Sequence, residues 1–306
     1  MFGYHRDLLS DQVRIDAYRA ALNATVRPGD VVVDVGTGTG ILAFLACQAG
    51  ARHVYAIEQQ HTADGAALLA RQLGFADRIT VLHGRSTEVE LPERADVLVS
   101  ETIGPLVFNE GWLGIVIDAR ERLLAPGARL IPSVVDVWIA PVEVPKVYAE
   151  QLDWWSTPRH GFDFSLLRMF EANALHSANI DRESLLASPA TMMSLRAAEV
   201  SDPVQHGSAA FVADRDGTLH GFAIGFTATL ADGITLTNAW GPATTWQQGL
   251  LLVEQPLAVS AGTPITVQLQ VDAAGVWFWR GSAAEATFDQ TTFLSRPPCM
   301  LAKRNV

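Results

Sequence analysis

A β-branched run that ends in a glycine-rich turn, DVVVDVGTGTG at positions 30–40, constrains the fold of this chain more than any other segment. Its residues are mostly apolar on both sides, as in the buried strands of parallel sheets. Gly36, Gly38 and Gly40 allow a tight turn and let a ligand approach the backbone closely. The next segment, ILAFLACQAG, has the pattern of a helix that ends at Gly50. The sequence therefore predicts a buried strand, an accessible turn and a helix in succession.

This alternation of strand and helix continues to about residue 132. HVYAIE, RITVLHG, ADVLVSE and ARLIPS have the composition of strands, whereas GAALLARQLG and GIVIDARERLLAPG have helical spacing. Strands that alternate with helices of about ten residues are typical of βαβ units around a parallel sheet. We therefore predict an α/β domain over residues 1–132.

The pattern changes after Pro132. Segments such as LHGFAIGFTATLADG, ITLTNAW and QGLLLVEQPLAV are extended and separated by Asp-Gly or glycine-rich turns. They predict an antiparallel sheet or barrel over residues 133–306. A less regular, Trp- and Phe-rich insertion interrupts it between about residues 145 and 180. Two domains also suit a chain of 306 residues, because one hydrophobic core rarely grows this large.

The glycine turn and the strand after it together predict a nucleoside ligand. HVYAIE ends in Glu58, eighteen residues after Gly40, where a carboxylate at the end of a strand can bind both ribose hydroxyls. A dinucleotide fingerprint would require glycine where this chain has Ile41, and no Lys-Ser/Thr pair follows as in a phosphate-binding loop. The loop therefore has no obvious pyrophosphate to bind. Taken alone, such a turn is also consistent with an unliganded connection.

Two glutamates, Glu101 and Glu110, enclose an apolar loop after the fourth predicted strand, in the stretch SETIGPLVFNEG. A glutamate in a loop is more often a solvated charge than a functional group. The alternative is that both carboxylates face one pocket that binds a cation. The pair by itself leaves both interpretations open.

The wider sequence resembles the protein arginine methyltransferases, which use S-adenosylmethionine and belong to the class I methyltransferases. The matching stretches, in order, are HRDLLSDQVRIDAY, DVGTGTGILAFLACQAGARHVYAIE, GRSTEVELPERADVLVSETIGPLVFNEG, LLAPGARLIPS, DWW…GFDFS and GPATTWQQGLLLVEQPLAV. The resemblance covers nearly the whole chain. We interpret the chain as a divergent, bacterial-type member of this family. It implies a Rossmann-like methyltransferase domain, a β-barrel domain and a homodimer formed through an inserted arm at about 145–180.

The resemblance assigns the substrate to Glu101 and Glu110, which match the family's double-glutamate loop in spacing. A guanidinium is planar, always protonated and carries five donors, so two carboxylates can orient it and fix one terminal nitrogen. Their negative charge also brings a cationic acceptor close to a sulfonium donor. The resemblance further assigns Trp246 to the substrate side of the site.

The resemblance also implies a set of cofactor contacts. Arg14 would meet the methionine carboxylate, Glu58 the ribose, and Glu88 with Thr87 the adenine edge, whereas His5 would close the site from the N-terminal helix. The full set of expected cofactor-binding residues is His5, Arg14, Asp34, Gly36, Gly38, Gly40, Glu58, Thr87 and Glu88.

One departure from the family pattern concerns proton transfer. The family has a Thr-His-Trp loop, and this chain reads Thr244, Thr245 and Trp246. In the family that histidine pairs with an aspartate that matches Asp11, so we expect Asp11 to have lost its partner. Threonine is not a titratable base at physiological pH.

Three interpretations of function follow. The first is an S-adenosylmethionine-dependent N-methyltransferase that acts on the guanidino group of arginine in a protein, a peptide or a small molecule. The second is a methyltransferase of another nucleophile on the same scaffold, in which the two glutamates are structural. The third is a degenerate cofactor-binding assembly protein, because Thr245 replaces the family histidine.

Composition narrows the partners and the compartment. The net charge of −11 argues against a nucleic-acid partner, whose phosphates attract basic surfaces, and mildly favours cationic substrates. The sequence has no apolar run suited to a membrane span and no recognisable secretory signal. Cys47 and Cys299 lie too far apart to form a metal-ligand motif. We therefore expect a cytoplasmic protein with no bound metal and no membrane partner.

Overall fold

In the computed structural model, which describes residues 3–240 and 244–292, the β-branched run forms strand β1 (Val31–Val35), and all five of its residues are buried. It lies at the centre of a five-stranded sheet with the order β3-β2-β1-β4-β5. The other strands are β2 (His53–Glu58), β3 (Ile79–His83), β4 (Ala95–Ser100) and β5 (Leu124–Ile131). Each neighbouring pair runs parallel, as predicted.

The helices of this region are α1 (Gly3–Ser10), α2 (Gln12–Thr25), α3 (Ile41–Gln48), α4 (Thr62–Gln72) and α5 (Trp112–Arg122). Most of α3 is buried, because its sequence is apolar on all sides. By contrast, α1 buries none of its residues. The predicted alternation of strand and helix is therefore confirmed.

The register of the sheet places the functional loops side by side. Val35 of β1 pairs with Ile57 of β2 on one side and with Ser100 of β4 on the other. Because the strands are parallel, the glycine turn, Glu58 and Glu101 all follow at the same carboxyl edge.

One predicted helix is shorter than expected. The segment GIVIDARERLLAPG was predicted as one helix, but α5 ends at Arg122 and strand β5 begins at Leu124. Pro126 cannot continue a helical hydrogen-bond pattern, and Gly127 has a φ of 77°. Helical spacing alone did not reveal this boundary.

The later strands form two further sheets from antiparallel pairs. Their orders are β7-β12-β10-β6-β8, with β11 beside β10, and β15-β14-β13-β9. The strands are β6 (Val134–Val142), β7 (His176–Ala178), β8 (Ala190–Arg196), β9 (Gln205–Val212), β10 (Gly217–Ala231), β11 (Ile234–Thr237), β12 (Gln248–Val259), β13 (Pro264–Val271), β14 (Trp277–Ala283) and β15 (Ala286–Thr291). Trp279 is fully buried, and its indole Nε1 donates to Leu252 O at 2.9 Å. The predicted antiparallel, barrel-like region is confirmed.

The Trp- and Phe-rich insertion contains two short helices, α6 (Pro145–Gln151) and α7 (Leu167–Ala172). Several of its large apolar side chains are exposed, and Phe162 and Leu166 are 67% and 71% exposed. Among the residues that the structure describes, no helix is both long and apolar enough to span a membrane.

The chain divides into two units, each built from more than one segment. The first unit comprises residues 1–136, 194–201 and 226–246, and the second comprises residues 137–193, 202–225 and 247–306. Strand β10 contributes residues to both units, so a change of sequence pattern cannot define them. The domain boundary that we placed at 132/133 stays a prediction.

Candidate active site

A cavity of about 570 Å³ lies at the carboxyl edge of the parallel sheet, within the first unit. Its wall includes the glycine turn, the end of β2, the apolar loop after β4, and both N-terminal helices. Seven of the residues predicted from the sequence line it: His5, Arg14, Gly36, Gly38, Glu58, Glu101 and Glu110.

The glycine turn forms one wall because side chains would not fit there. Gly36 has a φ of 78°, and a Cβ atom on it would lie 2.6 Å from Thr102 Cγ2. Gly38 has a φ of 55°, and its Cβ would lie 2.9 Å from His5 Cε1. Both positions therefore require glycine, for backbone conformation and for space.

Glu58 is held beside this turn by two backbone donors. Its Oε2 accepts from Gly38 N at 2.9 Å and its Oε1 from Gln60 N at 2.8 Å. Each carboxylate oxygen has a second lone pair, so Glu58 can still accept hydrogen bonds from two ligand hydroxyls. A glycine cradle and a fixed carboxylate fit the nucleoside that the sequence predicts.

A second cavity of about 390 Å³ lies on the other side of Glu58. It shares part of its wall with the first, and the shared residues are Gly36, Glu58, Gln59, Thr102, Glu110 and Gly111. Thr87 lines this second cavity, as do Gly84 and Ser86. The shared wall suits a ligand that is longer than one cavity and has polar groups along its length.

The carboxyl group of Glu101 is buried and hydrogen-bonded to Arg14. Arg14 Nη1 donates to Glu101 Oε2 at 2.8 Å, and the two side chains are only 4% and 14% exposed. Arg14 Nη2 also donates to Leu8 O at 2.5 Å. Burial, together with the charge of Glu110, raises the pKa of Glu101 to about 8, and Arg14 opposes this shift. One cation therefore does not fully compensate the acidic groups here.

Glu110 lies nearer to solvent than Glu101 and lines both cavities. Partial burial raises its pKa, and Arg14 opposes this shift. Glu110 forms no ion pair within residues 3–240 and 244–292. Two carboxylates whose charged forms are disfavoured in one cavity create a site that a cationic ligand would stabilise.

The loop between the glutamates is apolar because it faces the core. Ile103 and Val107 are almost completely buried. Gly104 has a φ of 62°, and a Cβ atom there would lie 2.9 Å from Glu110 Oε1. The loop therefore fixes the backbone through its buried side chains and leaves space for the Glu110 carboxylate through Gly104.

Four predicted residues do not line either cavity, and the structure gives each another position. Asp34 is buried behind the glycine turn, where its Oδ2 accepts from Thr37 Oγ1 at 2.5 Å, and burial raises its pKa to about 7. Gly40 precedes α3 and packs against Phe44, since a Cβ on it would lie 3.1 Å from that ring. These residues shape the turn from behind and do not form the cavity wall.

The other two are Glu88 and Trp246. Glu88 is exposed in a turn whose backbone bond runs from Glu88 N to Arg85 O, and this turn presents Thr87 to the second cavity. Trp246 is 8% exposed, and its ring lies 5.4 Å from Arg14 Cζ, so it supports Arg14 through a cation–π contact. Of the two residues expected at the adenine edge, Thr87 lines the second cavity and Glu88 does not, and Trp246 lines neither cavity.

Asp11 lacks the family's histidine, as predicted, but it keeps a hydrogen-bond partner at that position. Its Oδ2 accepts from Thr245 N at 2.7 Å and from Thr245 Oγ1 at 3.1 Å, and both residues belong to the first unit. Its Oδ1 accepts from Arg14 N at 3.0 Å and thereby caps α2. Thr245 has replaced the histidine as the hydrogen-bond donor. The contact between this loop and Asp11 is therefore kept, but it no longer includes a titratable base.

Sequence analysis missed several residues of the cavity wall, above all Tyr4, Leu8, Tyr18 and Asn109. Tyr4 and Leu8 are four positions apart on α1 and so share one helix face. That spacing was the available signal. Within the described ranges, no group of His, Cys, Asp and Glu residues is arranged to hold a metal ion.

Sequence comparison finds two family profiles along the chain. One, described as the arginine methyltransferase oligomerization subdomain, matches residues 135–281. The other, described as ribosomal protein L11 methyltransferase (PrmA), matches residues 19–133. Together they cover the parallel sheet and much of the antiparallel region.

Individual relatives extend the match over most of the chain. Protein arginine N-methyltransferase 6 of Xenopus tropicalis is 33% identical over 86% of this chain and 81% of its own length. The probable histone-arginine methyltransferase CARM1 of Oryza sativa subsp. indica is 37% identical over 88% of this chain, which spans about half (54%) of that protein. Among solved structures, a chain of the Trypanosoma brucei PRMT1 enzyme-prozyme heterotetrameric complex with AdoHcy superposes with a TM-score of 0.87 at 25% identity, covering 95% of this chain and 98% of that one.

Proposed function

This chain belongs to the protein arginine methyltransferase family, and from that premise we propose which of its residues carry out the reaction. The reaction is transfer of a methyl group from S-adenosylmethionine to the guanidino group of arginine. The observation that supports the assignment of residues is that Glu101 and Glu110 line the same cavity as the glycine turn and Glu58.

The methyl donor is held by the residues that fit a nucleoside joined to an amino acid. Gly36 and Gly38 let it approach the backbone, Glu58 accepts from the ribose hydroxyls, and Thr87 meets the adenine edge. When bound, S-adenosylmethionine supplies a methyl group on a positively charged sulfur. Arg14 has five donors, of which Glu101 and Leu8 O use two, so donors remain for the methionine carboxylate.

The arginine acceptor is oriented by the two glutamates. Glu101, deeper in the cavity, and Glu110, nearer to solvent, each accept donors of the planar guanidinium and fix the nitrogen that reacts. They also draw its positive charge away from that nitrogen, which leaves it a better nucleophile.

The reaction releases a proton, and we assign its first acceptor to Glu110. The attacking nitrogen would supply both electrons of its new bond to the methyl carbon while the carbon–sulfur bond breaks and its electron pair stays on sulfur. The nitrogen must then lose one proton. Burial raises the pKa of both glutamates, but Glu101 is hydrogen-bonded to Arg14, whereas Glu110 lies nearer to solvent, to which the proton must finally pass. Asp11 is not assigned this proton, because it lines neither of the two cavities.

The test is to remove each negative charge without changing shape. Glu101→Gln and Glu110→Gln should each lower kcat/KM at least about a thousandfold, because charge stabilisation in the transition state is lost. Binding of S-adenosylhomocysteine, measured by calorimetry, should change little for Glu110→Gln. Glu90→Gln, at an exposed glutamate outside both cavities, is the matched control. Full activity in either active-site variant would disprove the assignment.

We propose that the acceptor is an arginine side chain of a protein or peptide, as the names of the relatives suggest. A screen of proteins, peptides and free arginine with a labelled methyl donor would identify the class. Labelling of free arginine alone would contradict the proposal.

We also propose a cytoplasmic location, in line with the two widely spaced cysteines. Cys47 is buried and free, and Cys299 lies outside the described residues.

For assembly we propose a homodimer formed through the arm at about 145–180. The arm exposes Phe162, Phe164 and Leu166, and it lies inside the segment that matches the oligomerization profile. In the first unit, Leu68 of α4 and Leu73, which directly follows this helix, are 63% and 53% exposed. The arm of one copy covering α4 of another would bury both sets of apolar side chains.

A further inference from the structure

We propose that Tyr4 contacts the arginine side chain of the substrate and that its ring forms the outer wall of the arginine site. This inference rests on the proposed role of Glu101 and Glu110, and it assigns a third residue to substrate selection. The chemistry that Tyr4 recognises is a delocalised cation at the end of a flexible apolar stem.

The position of Tyr4 supports this role. Its side chain lines the same cavity as Glu101, Glu110 and Asn109, from the opposite element, α1. Its ring meets the His5 imidazole edge-on, with ring centroids 5.8 Å apart and an interplanar angle of 64°. His5 in turn packs directly on Gly38, so the ring of Tyr4 is aligned by a neighbour that itself contacts the glycine turn.

The order of exposure indicates a path into the site. Tyr4 is 60% exposed and Glu110 also contacts solvent, whereas the Glu101 side chain is only 14% exposed. A side chain that enters from solvent therefore passes Tyr4 and Glu110 before its end reaches Glu101. Leu8 and Leu9, on the same helix, line the cavity as well and offer apolar contact to the methylene stem of arginine.

The electrostatic surroundings of Tyr4 suit a cation. Partial burial of the phenol, then the negative charges of Glu110 and Glu101, together raise the pKa of Tyr4 to about 12, with Arg14 opposing. The phenol is therefore neutral at physiological pH and close enough to Glu110 to sense its charge. A neutral aromatic ring beside two carboxylates is a favourable environment for a guanidinium, through cation–π attraction together with ion pairing.

The test uses the peptide acetyl-GGRGG-amide, in which arginine is the single side chain beyond hydrogen. Its binding to protein saturated with S-adenosylhomocysteine is measured by calorimetry, and its KM and kcat are measured with S-adenosylmethionine. Tyr4→Ala should weaken binding and raise KM about tenfold, which is the range of a partly desolvated cation–π contact. Tyr4→Phe keeps the ring and should stay within about threefold of wild type.

The controls separate this proposal from the one on which it rests. Arg6→Ala, on the same helix but outside the cavity wall and highly exposed, should behave as wild type. Affinity for S-adenosylhomocysteine should be unchanged in both Tyr4 variants, which also shows that they are folded. If Glu110→Gln weakens peptide binding and Tyr4→Ala does not, the Tyr4 proposal is wrong and the glutamate clamp stands.

Other results are equally decisive. If Glu110→Gln also binds the peptide as wild type does, the clamp itself fails. Absence of binding to wild-type protein would overturn the Tyr4 proposal as well, because the site as described accepts any accessible arginine side chain. Equal loss in Tyr4→Phe and Tyr4→Ala would exclude the ring as the contact.

Discussion

At the scale of single residues, the site contains two glutamates, Glu101 and Glu110, whose charged forms are disfavoured in the free protein. Burial raises the pKa of Glu101 to about 8 and that of Glu110 above its ordinary value, and Arg14 compensates only in part. A bound guanidinium favours the charged forms of both. Binding of substrate and loss of protons are therefore linked processes.

We expect arginine-peptide binding to release protons at neutral pH. The free protein holds Glu101 largely protonated at about pH 7, and a guanidinium lowers its pKa, so a proton leaves on binding. Above about pH 9 Glu101 is already ionised and the release should disappear. Calorimetry in buffers of different ionisation enthalpy measures the number of protons.

Glu101→Gln is the control for this linkage, since glutamine has no proton to lose. It should show less release than wild type at neutral pH if it retains any affinity for the peptide. Release that rises as the pH is raised toward about 9 would contradict the expected sign.

The sequence pattern and the family resemblance together singled out Gly36, Gly38, Glu58, Glu101 and Glu110, and the structure brings all five to one cavity. Their roles in the reaction stay a prediction. Tyr4 was missed because an exposed tyrosine on a short helix is usually unremarkable. The contact that Thr245 keeps with Asp11 was not predicted, although a hydroxyl and a backbone N–H can replace a ring donor.

At the scale of elements, the junction between α1 and α2 organises one side of the cavity. Asp11 caps α2, accepts two hydrogen bonds from Thr245, and lies three residues before Arg14. A single carboxylate thus connects a helix start, a distant loop and the residue that pairs with Glu101. It is 6% exposed, so these bonds are shielded from water.

We expect Asp11→Ala to lower the free energy of unfolding by about 2 kcal/mol, from the lost cap and from buried donors left unpaired. Asp11→Asn retains an acceptor for the cap and should lose about half as much. Chemical denaturation of both variants and of wild type gives the comparison. Equal stability of Asp11→Ala and wild type would show that the junction is not structural.

The elements themselves were predicted better than their ends. Strand β1 and helix α3 followed from their predominantly apolar composition, which leaves few alternatives. The early end of α5 was missed, because the apolar residues around Leu124 satisfy both a helical face and a buried strand. Only pairing with β4 decides between the two, and such pairing is not encoded locally.

At the scale of the whole molecule, the division into units was not predictable from a linear boundary. Residues 226–246 belong to the first unit although they follow most of the second in sequence. The reason is that strand β10 is long enough to take part in both units, and a period-two pattern does not indicate where one ends. The general architecture was predictable, because alternating and uninterrupted apolar patterns indicate different sheet types.

The dimer is the prediction that belongs to this scale. The double variant Phe162→Ser and Leu166→Ser removes two of the most exposed apolar side chains of the arm and should convert a dimer into a monomer in light scattering. Leu68→Asp on α4 should have the same effect if that helix receives the arm. Val212→Ser, at a similarly exposed residue on β9, is the control and should remain dimeric. A monomeric wild-type protein would refute the proposal.

Helix α1 carries four residues of the cavity wall, Tyr4, His5, Leu8 and Leu9, yet it buries none of its own residues. A short helix with no share in the core can open by itself, at a cost that the rest of the fold does not set. We therefore expect substitutions in α1 to change the rate of ligand exchange more than they change the melting temperature.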